Sequence, residues 1–162
     1  MIRRTSLIAV VALAGSALLA ACATTPAPAP LADTLARDPQ LSTFNRLVAQ
    51  AGLADELRAA GPLTVFAPSD EAFKAVPAKT MAALAADPAQ LKAVLSYHVI
   101  DGRMAAADVR MGAAKTHQGG NIALAKAGGF ITVDDAVVQQ ADIVATNGVA
   151  HVVDRVLMPP KK

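Results

Sequence analysis

Three histidines, His98, His117 and His151, one cysteine, Cys22, and the polar run Ser69-Asp70-Glu71 are the side chains of this chain best suited to chemistry. A metal site would need several of them at ligating intervals. There is no His-x-x-x-His pair, no second thiol and no local cluster of carboxylates, so no metal ligand set is expected. Ser69, Asp70 and His98 can be assembled on paper into a nucleophilic triad. Ser69 lacks the glycine-flanked elbow that strains a nucleophilic serine into position, and it stands where a helix needs a cap. No catalytic residue and no cofactor is expected, and an enzyme ranks last among the function classes.

The elements that must position these residues can be read from the pattern around them. Residues 63–67 alternate Leu63, Val65 and Ala67 with Thr64 and Phe66, so both faces are apolar or nearly so, as in a strand covered on two sides. Pro68 ends that strand, Ser69 caps a following helix, Asp70 and Glu71 place negative charge on its first turn, and Phe73 returns to the core. Upstream, residues 31–60 have a helical texture: Phe44, Leu47, Val48 and Ala51 fall on one face, Ser42 or Thr43 is the expected cap, and Gly52 and Gly61 punctuate the ends. Downstream, Asp87-Pro88 is a cap with proline at the first helical position, and Leu91, Val94 and Leu95 line one face of the helix it opens.

From Tyr97 to Ile100 the chain is expected to be extended, with Asp101-Gly102 as a turn. Beyond Lys115 short β-branched runs follow one another at residues 122–125, 130–133, 137–138, 143–145, 149–153 and 156–158, separated by glycine or aspartate pairs. Asn147-Gly148 is the strongest hairpin signal among these separators, and it predicts positive backbone dihedrals there. His98 and His151 lie between apolar neighbours, where an imidazole can bridge buried backbone groups through its two nitrogens. His98 is expected to be held neutral by desolvation. A helical first half and a stranded second half make the class α+β.

At the N-terminus, Arg3 and Arg4 precede the apolar run at residues 7–14, and small residues lead to Cys22. This is a secretion signal over residues 1–21, too short and wrongly flanked for a spanning helix. Leu19-Ala-Ala-Cys22 resembles a bacterial lipoprotein box, which implies that the Cys22 thiol carries a diacylglyceryl group and a further acyl chain such as palmitate. Two or three chains anchor a protein durably where one does not. Residues 22–30, Pro- and Ala-rich, read as an extended tether, and residues 31–160 as a single domain. Ala23, which is not aspartate, fits onward sorting to the outer membrane. The expected location is therefore the lipid-anchored cell envelope, on the periplasmic face or the cell surface.

Three segments, in order, resemble the signature boxes of the fasciclin-type adhesion domain, in a bacterial lipoprotein form. They are Thr64-Val-Phe-Ala-Pro-Ser-Asp-Glu-Ala-Phe73, the Tyr97-His98 pair with Val99, and Asn147-Gly-Val-Ala-His-Val-Val-Asp-Arg-Val-Leu-Met-Pro159. Ala150 and Met158 stand where larger aliphatics are usual. The structural positions in these boxes are Thr64, Phe66, Pro68, Ser69, Asp70, Phe73, Asn147, Gly148, His151 and Asp154. The resemblance implies a compact β-wedge or sandwich of short strands flanked by several short helices. It also implies that Tyr97, His98, Asp142 and Ile143 are candidate interaction residues, since the corresponding pairs in animal members are implicated in integrin binding.

Charge narrows the function classes further. Without Arg3 and Arg4 the 15 basic residues fall to 13, equal to the 13 acidic ones. A neutral mature chain with no Trp, one Tyr and four Phe has neither the basic patch nor the stacking platforms of a nucleic-acid binder. The reading is an envelope-anchored, non-catalytic adhesion or protein-interaction module, with a protein, matrix or polysaccharide partner. The alternative is a carrier of an apolar small molecule, a lipid or carotenoid.

Overall fold

The computed structural model describes residues 27–59 and 61–160; Cys22 and the signal segment lie outside them. The elements are α1 (Leu31–Ala36), a 3-10 turn (Pro39–Leu41), α2 (Ser42–Gln50), α3 (Ala54–Ala59), β1 (Leu63–Pro68), α4 (Asp70–Lys74), α5 (Ala78–Ala86), α6 (Pro88–Tyr97), β2 (Val99–Asp101), β3 (Gly112–Lys115), β4 (Asn121–Ala127), β5 (Phe130–Val133), β6 (Ala136–Ala145) and β7 (Gly148–Val153). The strands form one seven-stranded sheet in the order β2-β1-β7-β6-β5-β4-β3. β1 and β7 are parallel, and the other neighbours are antiparallel. An isolated bridge from Ile100 to Thr116 and a bond from His117 N to Val99 O (2.8 Å) bring the two edges together into a near-barrel. The chain is thus α+β, as expected.

β1 is buried along its entire length, and so is its parallel partner β7. Their alternating side chains feed two separate cores. Leu63, Val65, Ala67, Ala150 and Val152 pack beneath the helices with Phe44, Leu47, Leu91 and Leu95. Phe66 and Val153 point the other way, into the curled sheet, with Ile100, Ile122, Leu124, Ile131 and Val133. Burying apolar surface on both faces is what fixes β1 at the centre, since a one-residue slip would exchange the two sets.

Helix starts follow local chemistry in two cases and long-range chemistry in a third. Ser69 Oγ accepts from Ala72 N (3.3 Å), and Asp87 Oδ1 accepts from Ala89 N (3.0 Å) and Gln90 N (3.2 Å). The expected caps of α2, Ser42 and Thr43, instead lie inside its first turn. The cap is Asp70, far away in sequence: its carboxylate accepts from Ser42 Oγ (2.6 Å) and Thr43 N (2.8 Å). Asp70 thereby serves the N-terminal ends of both α2 and α4, which ties the first box to the helical layer. Partial burial pushes its pKa up, but the bonds from Ser42 and Thr43 outweigh this and hold it below the ordinary carboxylate value.

The structure differs from the sequence reading at several places. Tyr97 is the last residue of α6 and His98 its right-handed C-cap, so the chain becomes extended only at Val99. Residues 137–138 and 143–145 belong to one strand, β6, whose register against β7 shifts twice on the way to Ile143. Asp142, at φ 58°, sits within the second shift. β3 was not foreseen because Gly-Ala-Ala-Lys carries almost no β-propensity. Residues 156–158 form no strand: the backbone N–H of Leu157 is taken by a side chain. Residues 27–30, expected to be part of an extended tether, are docked to the domain. Ala29 is buried, and its carbonyl accepts from Thr146 N (3.0 Å) and Thr34 Oγ1 (3.0 Å).

Candidate functional site

His98 has no exposed surface. Its Nδ1–H donates to Val94 O (2.8 Å), one turn back on α6, and its Nε2 accepts from Leu157 N (2.9 Å). Those roles require a neutral ring with the proton on Nδ1. Burial pushes the imidazole from its ordinary 6.5 down to about 4, against a smaller upward pull from the Val94 carbonyl. His98 therefore pins the chain after β7 to the end of α6, beside the Phe44 ring. It has no nitrogen left for a substrate.

His151 is bonded in the opposite sense. Its Nε2–H donates to Met104 O (2.9 Å), its Nδ1 accepts from Asp142 N (3.2 Å), and its ring stacks on Phe66 at 5.4 Å. The same loop is held by Thr64, whose hydroxyl donates to Gly102 O and accepts from Met104 N, both at 2.8 Å. Asp142 Oδ1 accepts from Ala106 N (2.8 Å), and Ile143 is half-buried against the helical core. Asp154 closes the other end of β6, accepting from Val137 N at 2.7 Å.

Tyr97 is buried except for a sliver, with its hydroxyl within bonding reach of Asn121 O (2.9 Å) and Asp134 Oδ2 (3.2 Å). Burial first, and the Asp134 carboxylate second, push the phenol pKa up. Of the four candidate interaction residues, Asp142 alone is exposed, and the structure does not gather the four into one surface patch. Ser69 and Asp70 border an open groove of about 600 Å³ with Glu71 and Lys74, and the ring nitrogens of His98 bond to Val94 and Leu157 instead. The paper triad is not assembled.

The Asn147-Gly148 pair does join β6 to β7, but not by positive dihedrals: among the described residues positive φ occurs at Asp134, Asp142 and Gly52, Gly102, Gly119 and Gly128. Gly148 is required by contact. A Cβ there would lie 2.0 Å from Leu63 O and 2.7 Å from Leu31 Cδ1. Asn147 works through its side chain, with Oδ1 accepting from Leu31 N (2.8 Å) at the start of α1 and Nδ2 donating to Leu57 O (2.7 Å) and Arg58 O (3.2 Å) near the end of α3. One amide thus supplies an acceptor where a helix has orphan donors and a donor where another has orphan carbonyls. Sequence proximity carries no signal of this, because the partners are 89 to 116 residues away.

The third histidine lies in a different setting. His117 borders a cleft of about 310 Å³ with Leu53, Glu56, Leu57, Leu63, Ser96 and Val99. Its Nδ1 is 3.1 Å from Asp101 Oδ1 and its Nε2 4.0 Å from Glu56 Oε2, while Glu56 Oε1 accepts from Lys92 Nζ at 2.8 Å. No pattern in the sequence brought these four residues together. Among the described residues no group of His, Cys, Asp and Glu could hold a metal ion, and no helix is long and apolar enough to cross a membrane.

Comparison with known proteins agrees with this architecture. Protein sll1483 of Synechocystis sp. is 41% identical over 123 residues, covering 73% of this chain and 68% of that protein. Immunogenic protein MPB70 of Mycobacterium bovis is 33% identical over 136 residues, covering 81% and 69%. The domain pair of the insect cell adhesion molecule Fasciclin I superposes with a TM-score of 0.64 over 81% of this chain and 51% of that one; at 18% identity this shows the fold alone. The fasciclin domain model matches residues 39–159, from the 3-10 turn before α2 to the segment pinned by His98, and the chain belongs to the fasciclin domain family.

Proposed function

We propose that this chain is a non-catalytic adhesion or protein-interaction module held at the cell envelope by an acylated Cys22. The observation that carries the non-catalytic reading is the condition of its reactive-looking side chains. Ser69 caps α4, Asp70 caps α2, and His98 and His151 have both ring nitrogens engaged by backbone groups. Chemistry needs a group with a free valence facing a substrate. These residues are committed to the fold.

Support for the adhesive reading comes from membership of the fasciclin domain family. Envelope anchoring rests on the Leu-Ala-Ala-Cys22 box and Ala23. The described domain also has apolar surface to offer a partner: Phe130 and Met111 are 71% and 82% exposed. Exposed aromatic and methionine side chains are favoured anchors at interfaces.

The test uses cells lacking the chain, complemented with wild type or with Cys22→Ala. Wild type should fractionate with the outer membrane and restore cell attachment to a partner surface, whereas Cys22→Ala should be released in soluble form and fail to restore it. An unchanged membrane pool of Cys22→Ala would remove the anchoring claim. Attachment unaffected by loss of the whole chain would remove the adhesive one.

A further inference from the structure

The cleft beside His117 is an apolar recess, and the polar atoms at its mouth are arranged with a definite sense. We propose that this cleft, between α3, α6 and β2, binds a small amine with an apolar body, its ammonium head held between Glu56 Oε2 and His117 Nε2. The inference goes beyond the adhesive reading and does not depend on it.

The body of the ligand is set by the walls. Leu53, Leu57, Leu63 and Val99 each retain a few per cent of their surface, and that surface opens into the recess. At about 310 Å³ the cleft stands at the lower end of the range for small-molecule sites, enough for one ring or a short chain. Such a body gains by leaving water, without displacing any side chain from the core.

The head is set by hydrogen-bond sense and by charge. His117 Nδ1 faces the Asp101 carboxylate at 3.1 Å, so in the neutral ring the proton sits there and Nε2 is a bare acceptor. Glu56 uses Oε1 on Lys92 and turns Oε2 towards that nitrogen, 4.0 Å away. Two acceptors face each other across a gap too wide for a bond between them, and a donor placed between them bonds to both. An ammonium does so with charge assistance. The charged groups paired at the mouth are Glu56 on α3, Lys92 on α6 and Asp101 on β2, two carboxylates to one ammonium, while the other ions of α3, Asp55 and Arg58, pair with each other and, through Arg58, with Asp33. The surplus negative charge favours a cation over an anion of the same shape.

Three probes with one aromatic body and different heads separate the terms: phenylethylamine, phenylethanol and phenylacetate. They are titrated into the full chain carrying Cys22→Ala, with methyl-labelled Leu and Val observed by NMR. Phenylethylamine should shift the methyls of Leu53, Leu57, Leu63 and Val99 saturably and bind about tenfold or more tighter than phenylacetate, with phenylethanol between them. Glu56→Gln, a surface change, should keep the melting temperature and lose the preference for the amine. The proposal is overturned if none of the probes shifts these methyls, if phenylacetate binds as well as the amine, or if Glu56→Gln keeps the full preference.

Discussion

His98 and His117 are the same side chain in opposite circumstances. His98 is sealed, with one nitrogen donating to α6 and the other accepting from the chain beyond β7, and its burial forces it neutral. His117 is about half exposed, bonded on one side to a surface carboxylate, with its other nitrogen 4.0 Å from Glu56 Oε2. The sealed region and the fastened contacts around it, the Asn147-Gly148 corner and the Asp70 cap of α2, convert polar side chains into fasteners. The open rim leaves an acceptor unspent. In this fold the useful distinction among polar residues is whether their valences are consumed by the backbone.

The sharpest way to break the sealed side is Gly148→Val. Its Cβ would collide with the Leu63 carbonyl, and backbone cannot rotate out of the way as a side chain can, so a loss of about 3 kcal/mol or more is expected. Chemical denaturation should show a chain largely unfolded. A wild-type midpoint would mean that the β1 to β7 contact is looser than described.

His98→Gln comes next. The amide can replace part of the bonding but not the shape, and a loss of about 2 kcal/mol is expected. The wild-type pH dependence carries the more specific signature. Since the folded value lies near 4, below the ordinary 6.5, the unfolded chain takes up the proton first. Stability from this group is complete above about 6.5 and is lost as pH falls through about 4, on the order of 3 kcal/mol in all. Unfolding curves at several pH values should show that component in wild type and its absence in the variant.

Asp70→Ala removes the cap of α2 and a first-turn negative charge of α4, and should cost about 1 kcal/mol. Because the Asp70 carboxyl is held below its ordinary value, its contribution is present above the ordinary carboxylate range and is lost as pH falls through the folded value. The variant should therefore be less sensitive to acid in that range than wild type. At the far end of the comparison, His117→Gln should change stability by no more than about 0.5 kcal/mol, because half-exposed polar contacts between side chains contribute little. A large effect there would place His117 among the fasteners.

What the sequence disclosed follows the range of the interactions. The Ser69 and Asp87 caps and the doubly covered β1 were legible because each depends on residues within a few positions. The three boxes located the fold for the same reason, as compact local patterns. The Asp70 cap of α2, the Asn147 staple and the His117 rim were not legible, since each joins residues brought together only by the tertiary fold. The Asn147-Gly148 reading identified the right residues with the wrong cause. A hairpin signal and a close approach of two backbones both select glycine, and only the neighbours distinguish them.

The docking of Ala29 has a mechanical consequence. Residues 27–31 are held by Arg37 on Ala27 O, by Thr146 on Ala29 O and by the Asn147 side chain on Leu31 N. A force applied at residue 27 therefore enters the domain at the hairpin before β7, at the end where β1 and β7 both begin. Those two strands are parallel and central, so a load whose opposing force acts beyond the end of β7 would meet a row of bonds side by side. Tension would then run along the two central strands of the sheet, as the adhesive role proposed above requires.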